Sequence, residues 1–130
     1  MHPEELLTIR GPLVAVVDDD ESARESLPDL VRELGYSARA FASATEFLAQ
    51  GDVADTKCLI LDVVMPGMSG PELQQQLILR GCDIPIIFIT AQTDKSLAPS
   101  LIERGAIACL FKPFSEQELR VALVAALPET

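Results

Sequence analysis

Cysteine, basic residues and long apolar runs are all scarce in this 130-residue chain. The three cysteines, Cys58, Cys82 and Cys109, are odd in number and far apart, with no CxxC pair. That excludes a disulfide framework and a zinc site. Cys58 and Cys109 sit inside apolar runs, where a free thiol behaves as a small core residue. Lys and Arg number 10 against 20 Asp and Glu, a net charge of −10. Such a surface repels a phosphate backbone, so no direct nucleic-acid contact is expected of this domain, and cations or basic partners are favoured. No stretch approaches the roughly 18–20 consecutive apolar residues of a membrane span. The opening MHPEELLTIRGP lacks the basic start and apolar run of a signal peptide. The expectation is a soluble, cytoplasmic chain without a membrane partner. His2, the single histidine, lies in the opening tail and is assigned no role.

What is there is a good core. Apolar residues make up 48% of the chain, enough for one domain and too many for a disordered one. Short apolar runs at 13–17, 58–61, 85–89 and 107–111 read as buried strands, and the more polar run at 37–41 as an edge strand. Helical patterns lie between them. In 21–34, Leu27, Leu30, Val31 and Leu34 form one stripe, with Asp20 placed to cap the start, Gly35 to end it and Pro28 to kink it. Ser43–Glu46 and Ser115–Glu118 have the form of capping boxes, and Pro71 opens a helix that stops near Gly81. The segment 94–104 reads as a poorer helix interrupted by Pro99, and Gln74, Gln75 and Gln76 as a solvated face. Five strands alternating with five helices predict an α/β fold: a doubly wound five-stranded parallel sheet of order 2-1-3-4-5, its switch point between the first and third strands.

Ligands of open α/β sheets bind beyond the carboxyl ends of the strands. There the first strand delivers Asp18, Asp19 and Asp20, the third Asp62, the fourth Thr90 and the fifth Lys112. Asp20 alone is better explained as a helix cap. Asp18, Asp19 and Asp62, if all ionised, carry three negative charges that raise one another's pKa values. Lys112 offsets one charge and a divalent cation two. Hard oxygens on a loop-rich edge suit Mg²⁺. Metal, lysine, hydroxyl and an in-line carboxylate match the needs of phosphoryl transfer, and an Asp nucleophile gives an aspartyl phosphate.

The stretches VVDDDES, LILDVVMPGMSG, IIFITA and FKPF occur in order and at matching separations. With them the chain resembles the receiver domain of two-component response regulators, the CheY-like family, over about residues 12–127, with residues 1–11 as a tail. The resemblance implies a flavodoxin-like three-layer sandwich. It implies that Asp62 accepts a phosphoryl group from a sensor histidine kinase or phosphotransfer protein. Asp19 and Asp62 would ligate Mg²⁺ directly, Asp18 through water, with the Val64 backbone carbonyl completing the protein ligands. Thr90 would bond a phosphoryl oxygen and move on activation. Lys112 would pair with the phosphoryl group, its bond to Pro113 being cis, and Ala91 would leave the site accessible.

Two positions depart from the family's habit. An aromatic residue common three positions before the lysine is here Cys109, which removes an aromatic partner for Thr90. Phe111 is close in sequence but is expected to point elsewhere along the strand. Val64, where polar residues are common, and Gln92 would alter how water reaches an acyl phosphate. The last helix has a packing stripe (Leu119, Ala122, Leu123, Ala126, Leu127) and a second apolar set, Val121, Val124 and Ala125, suited to a homodimer or effector.

The expected role is a switch that assists its own phosphorylation and dephosphorylation, not an enzyme with a turnover substrate. A phosphorylation-independent binding receiver is one alternative. A Mg²⁺-dependent phosphatase with an Asp nucleophile is another, disfavoured by Val64 where haloacid-dehalogenase enzymes want an acid. A nucleotide or flavin carrier lacks its GxGxxG or GxxxxGK[ST] loop. No effector domain follows the last helix, so the chain is expected to be a stand-alone receiver or one whose C-terminal part has been left out. Its initial methionine argues against a piece cut from the end of a hybrid kinase.

Overall fold

Short extended runs become five neighbouring parallel strands, of which the three central ones, rich in Val, Ile and Leu, are buried on both faces. They are β1 (Leu13–Val17), β2 (Ser37–Phe41), β3 (Thr56–Asp62), β4 (Ile86–Thr90) and β5 (Ala108–Phe111), in the order β2-β1-β3-β4-β5. All four pairings are parallel. The strands alternate with α1 (Glu21–Glu33), α2 (Ala44–Gln50), α3 (Gly70–Leu79), α4 (Leu97–Glu103) and α5 (Glu116–Ala126), with a short 3₁₀ turn at Val53–Asp55. This is a computed structural model, and it describes residues 11–91 and 96–128. The expectations attached to His2, Gln92 and the start of a helix at Asp94, and to most of the tail, lie outside the described residues.

Successive side chains of a strand point to opposite faces, so the sheet has two cores. Val14, Val16, Cys58, Ile60, Ile87 and Ile89 meet Leu27 and Val31 of α1 and Leu119 and Leu123 of α5. Ala15, Val17, Leu59, Leu61 and Phe88 meet Phe47 of α2, Leu73 and Leu77 of α3 and Leu101 of α4. Three layers result. Cys58 is buried in the first core, where loss of solvent pushes its thiol up to about 12 and leaves it inert. Cys109 is half-buried and packs against the second.

Local chemistry sets the helix starts. Asp20 accepts from the Ser22 N–H at 3.2 Å and caps α1, and Gly35, at φ +104°, lies just past its end. Pro28 lies on the buried face of α1, which continues through it to Glu33. Ser115 and Glu118 form the expected reciprocal box on α5. At α2 the box is opened by one residue: Ser43 accepts from the Glu46 N–H, but the Glu46 carboxylate accepts from the Ala42 N–H. α3 carries a further box, Ser69 with Glu72, and starts at Gly70, one residue before Pro71.

Two sequence expectations are corrected. Pro99 does not interrupt α4, because the helix begins at Leu97 and a first-turn proline gives up an N–H that has no helical partner. Gln74 is not on a solvated face. It lies four residues after Gly70 and three before Leu77, on the packed side of α3, and is 3% exposed, with its Oε1 making no hydrogen bond.

Gly70 joins α3 to the end of β3. Its N–H donates to the Val63 carbonyl at 3.0 Å, and a Cβ there would overlap the Asp62 carbonyl oxygen and crowd Phe88 Cε1 and Val63 Cα at 3.1 Å. Backbone cannot yield cheaply, so Gly70→Ala is expected to lower unfolding free energy by roughly 1–3 kcal/mol. Urea titration with an unchanged m-value checks this. Ser69→Ala, which removes only the cap, is expected to cost about 1 kcal/mol.

Candidate functional site

The carboxyl ends of β1, β3, β4 and β5 converge. Asp18 follows the last residue of β1 and extends the ladder to β2, its N–H donating to the Phe41 carbonyl at 3.1 Å. Asp62 is the last residue of β3 and pairs in register with Ile89. Thr90 ends β4, and the Lys112 N–H donates to its carbonyl at 2.8 Å. The alternation of side chains puts Asp62 on the face of Cys58 and Ile60, and Thr90 on the face of Ile86 and Phe88.

Three carboxylates gather here. Asp18, Asp19 and Asp62 each offer an oxygen, and these lie within 4.8 Å of one another. Asp18 is fully buried and Asp62 is 7% exposed, while Asp19 is exposed. A buried carboxylate is costly unless its oxygens find donors. Asp18 is satisfied throughout: Oδ1 accepts from the Asp20 N–H at 2.9 Å, Oδ2 from Lys112 Nζ at 3.0 Å, and its carbonyl from Arg24 Nη1 at 3.0 Å. Asp62 is less well served, with a long 3.4 Å bond from the Val64 N–H. Val64 itself projects to solvent beside the site, 53% exposed.

The electrostatics follow. Burial, then the charge of Asp18, push Asp62 up to about 7, against the pull of Lys112 and the Val64 N–H. Burial pulls Lys112 down, but the hydrogen bond and charge of Asp18, with Asp62 and Asp20, outweigh it and hold the ammonium above its usual range. The donor set is hard oxygen throughout, and a divalent cation would relieve the carboxylate that burial and its neighbours hold partly protonated. The residues present therefore fit Mg²⁺.

Asp18, Asp19, Asp62 and Lys112 thus stand together, with Thr90 buried at the adjacent strand end, and the Lys112–Pro113 bond is cis. Asp20 caps α1, as its residue type predicts. The reading of Phe111 is corrected. Cys109 and Phe111 are two residues apart on one strand and share a face, and Phe111 is in register with Thr90. Arg24 was missed. Its one sequence signal is being the sole cation in the acidic stretch DDDESARE. A groove of about 1340 Å³ lies at the other end of the sheet, but its described lining brings only Lys57 and Asp83 as charged groups.

Comparison with known proteins gives the family and the fold. Residues 14–124 match the family model described as the response regulator receiver domain. The chain is 44% identical over 118 residues to the response regulator protein TodT of Pseudomonas putida, covering 91% of this chain and 52% of that one. It is 39% identical over 114 residues to the transcriptional regulatory protein FixJ of Azorhizobium caulinodans, covering 88% and 54%. It spans about half the length of these relatives. Among solved structures, the response regulator StyR superposes with a TM-score of 0.83 at 45% identity, over 90% of this chain and 59% of that one. FixJ-N does so with 0.81 at 32%, over 92% and 95%.

The crowding has a measurable consequence in metal-free protein. A folded-state pKa near 7 against an ordinary 3.8 means that the native state holds the Asp62 proton more tightly. Stability from this group is then present at low pH and is lost as pH rises from about 4 to about 7. Asp62→Asn carries no such loss. In EDTA it is expected to match wild type near pH 4 and to exceed it above pH 7, by on the order of 3 kcal/mol. Urea unfolding at the two pH values checks this, and an equal gap at both would count against it.

Proposed function

The chain belongs to the response regulator receiver domain family, and on that premise we propose that Asp62 is its phosphoacceptor. The observation that carries this is a strand-end carboxylate, nearly buried, beside Asp18, Asp19 and Lys112. In this reading residues 12–127 are the receiver unit and residues 1–11 a tail, and the protein works in the cytoplasm. The phosphoryl donor is a sensor histidine kinase or a phosphotransfer protein. Among the described residues no helix is long and apolar enough to cross a membrane.

An oxygen of ionised Asp62 attacks phosphorus, the new O–P bond forms as the donor's P–N bond breaks, and the imidazole leaves. Asp19, Asp62 and the Val64 carbonyl would hold Mg²⁺, and Asp18 would contribute through water. When bound, that cation neutralises charge on the carboxylates and on the transferring oxygens. Lys112 gives its ammonium to a phosphoryl oxygen, and the Thr90 hydroxyl donates to another. Water later attacks phosphorus, the Asp62 O–P bond breaks and inorganic phosphate leaves, so the protein is a timed switch and not an enzyme with a turnover substrate. Val64, apolar at the mouth of the site, bears on that second attack. The exposed set Val121, Val124 and Ala125 of α5, with the two valines 58% and 56% exposed, is the surface offered to a second copy or an effector.

Intact mass after incubation with acetyl phosphate tests the assignment. Wild type is expected to gain one phosphoryl adduct only with Mg²⁺, and Asp62→Asn none. Lys112→Ala is expected to form the adduct roughly a hundredfold more slowly, the scale of losing one charge-stabilising donor. No adduct under any condition would overturn the phosphoacceptor role and favour phosphorylation-independent binding.

A further inference from the structure

Asp19 is the exposed member of the carboxylate cluster, yet the backbone on both sides of it is tied down. The peptide before it presents the Asp18 carbonyl, which accepts from Arg24 Nη1 at 3.0 Å. The peptide after it presents the Asp20 N–H, which donates to Asp18 Oδ1 at 2.9 Å. Arg24 sits one turn into α1, and its own N–H donates to the Asp20 carbonyl at 3.1 Å. From there the guanidinium, half-buried, reaches back past the helix start. This contact spans six residues and is not one that helix geometry supplies, since neighbours on a helix lie three or four apart.

We propose that Arg24 is a positioning residue for the cation site: by holding the Asp18–Asp19 peptide it sets the direction in which Asp19 presents its carboxylate. The inference rests on the reading of Asp18, Asp19 and Asp62 as a Mg²⁺ site. Two roles for the guanidinium have opposite signs. As a clamp it tightens the site. As a positive charge beside three acids it repels a cation and loosens it. The Asp18 carbonyl is a fixed acceptor on the strand that starts the site, and the contact is short and partly shielded from water, so the clamp outweighs the charge. Partners that orient a ligand from behind are worth about ten- to a hundredfold in metal affinity.

The test is Mg²⁺ titration by amide NMR shifts on wild type, Arg24→Met and Arg24→Lys. Arg24→Met, which loses donor and charge, is expected to weaken Mg²⁺ roughly tenfold. Arg24→Lys, which keeps a donor, is expected to recover part of that loss. With acetyl phosphate, the Mg²⁺ concentration for half-maximal phosphorylation is expected to rise by the same factor, while the rate at saturating Mg²⁺ holds. Unchanged or tighter Mg²⁺ binding by Arg24→Met would overturn the inference and leave the guanidinium as a charge alone. If Arg24→Met is unfolded in EDTA, Arg24→Lys decides, because a twofold to tenfold weakening is still expected of it and none would overturn the clamp. Absence of Mg²⁺ binding by wild type would overturn the reading of the site, and this inference with it.

Discussion

The 3.0 Å contact between Lys112 Nζ and Asp18 Oδ2 is the constraint on which the carboxyl edge of the sheet depends. It joins residues 94 positions apart and brings the end of β5, an edge strand, back to the end of β1, across the intervening β4 and β3. Without a cation there, Asp18 would be a fully buried carboxylate beside a second buried carboxylate, an arrangement that costs several kcal/mol of desolvation and repulsion. With it, Asp18 is satisfied and the residual strain falls on Asp62, which burial and its neighbours push towards neutrality. The sheet thus puts its least comfortable carboxylate at the one position where a cation and a phosphoryl group would relieve it. That local cost has to be offset by the packing of the rest of the fold.

That packing was legible because it is periodic. Val14, Val16, Cys58, Ile60, Ile87 and Ile89 on one face, and Ala15, Val17, Leu59, Leu61 and Phe88 on the other, are the alternation of buried strands. The end of each apolar run marks where a polar side chain must emerge. Asp18, Asp62, Thr90 and Lys112 could therefore be read as strand-end residues before any geometry was known, and the switch-point rule put them on one edge. Caps were legible for the same local reason: Asp20, Ser43 and Ser115 stand three or so residues ahead of an apolar stripe.

What escaped sequence reading depends on distance or on exact phase. Gln74 belongs to a run of three glutamines whose residue type says solvent, but its position relative to Gly70 and Leu77 turns it inward. The helix at Pro99 begins later than its composition suggests, which moves the proline from the interior to the first turn. Arg24 reaches six residues back across a strand–helix junction, and no periodicity encodes such a contact. The error over Phe111 was different in kind, since the two-residue period of a strand already places it on the Cys109 face.

That face has a consequence for how a change at the site spreads. Asp62 and the strand positions leading to Asp18 and Lys112 share the alternation of the core under α1 and α5, whereas Thr90 shares that of the core under α2, α3 and α4. A group bound between Asp62 and Thr90 therefore touches both layers through the sheet. On the Thr90 side the cross-strand neighbour is Phe111, and the position before it, opposite Phe88, is the small Cys109. A small residue there leaves the Phe88 ring without an aromatic cross-strand neighbour on β5 and puts the aromatic residue of that face beside Thr90 itself. Displacement of Thr90 would thus be felt first at the end of β5, one residue from Lys112, and only then by the exposed apolar face of α5, which follows β5 in the chain.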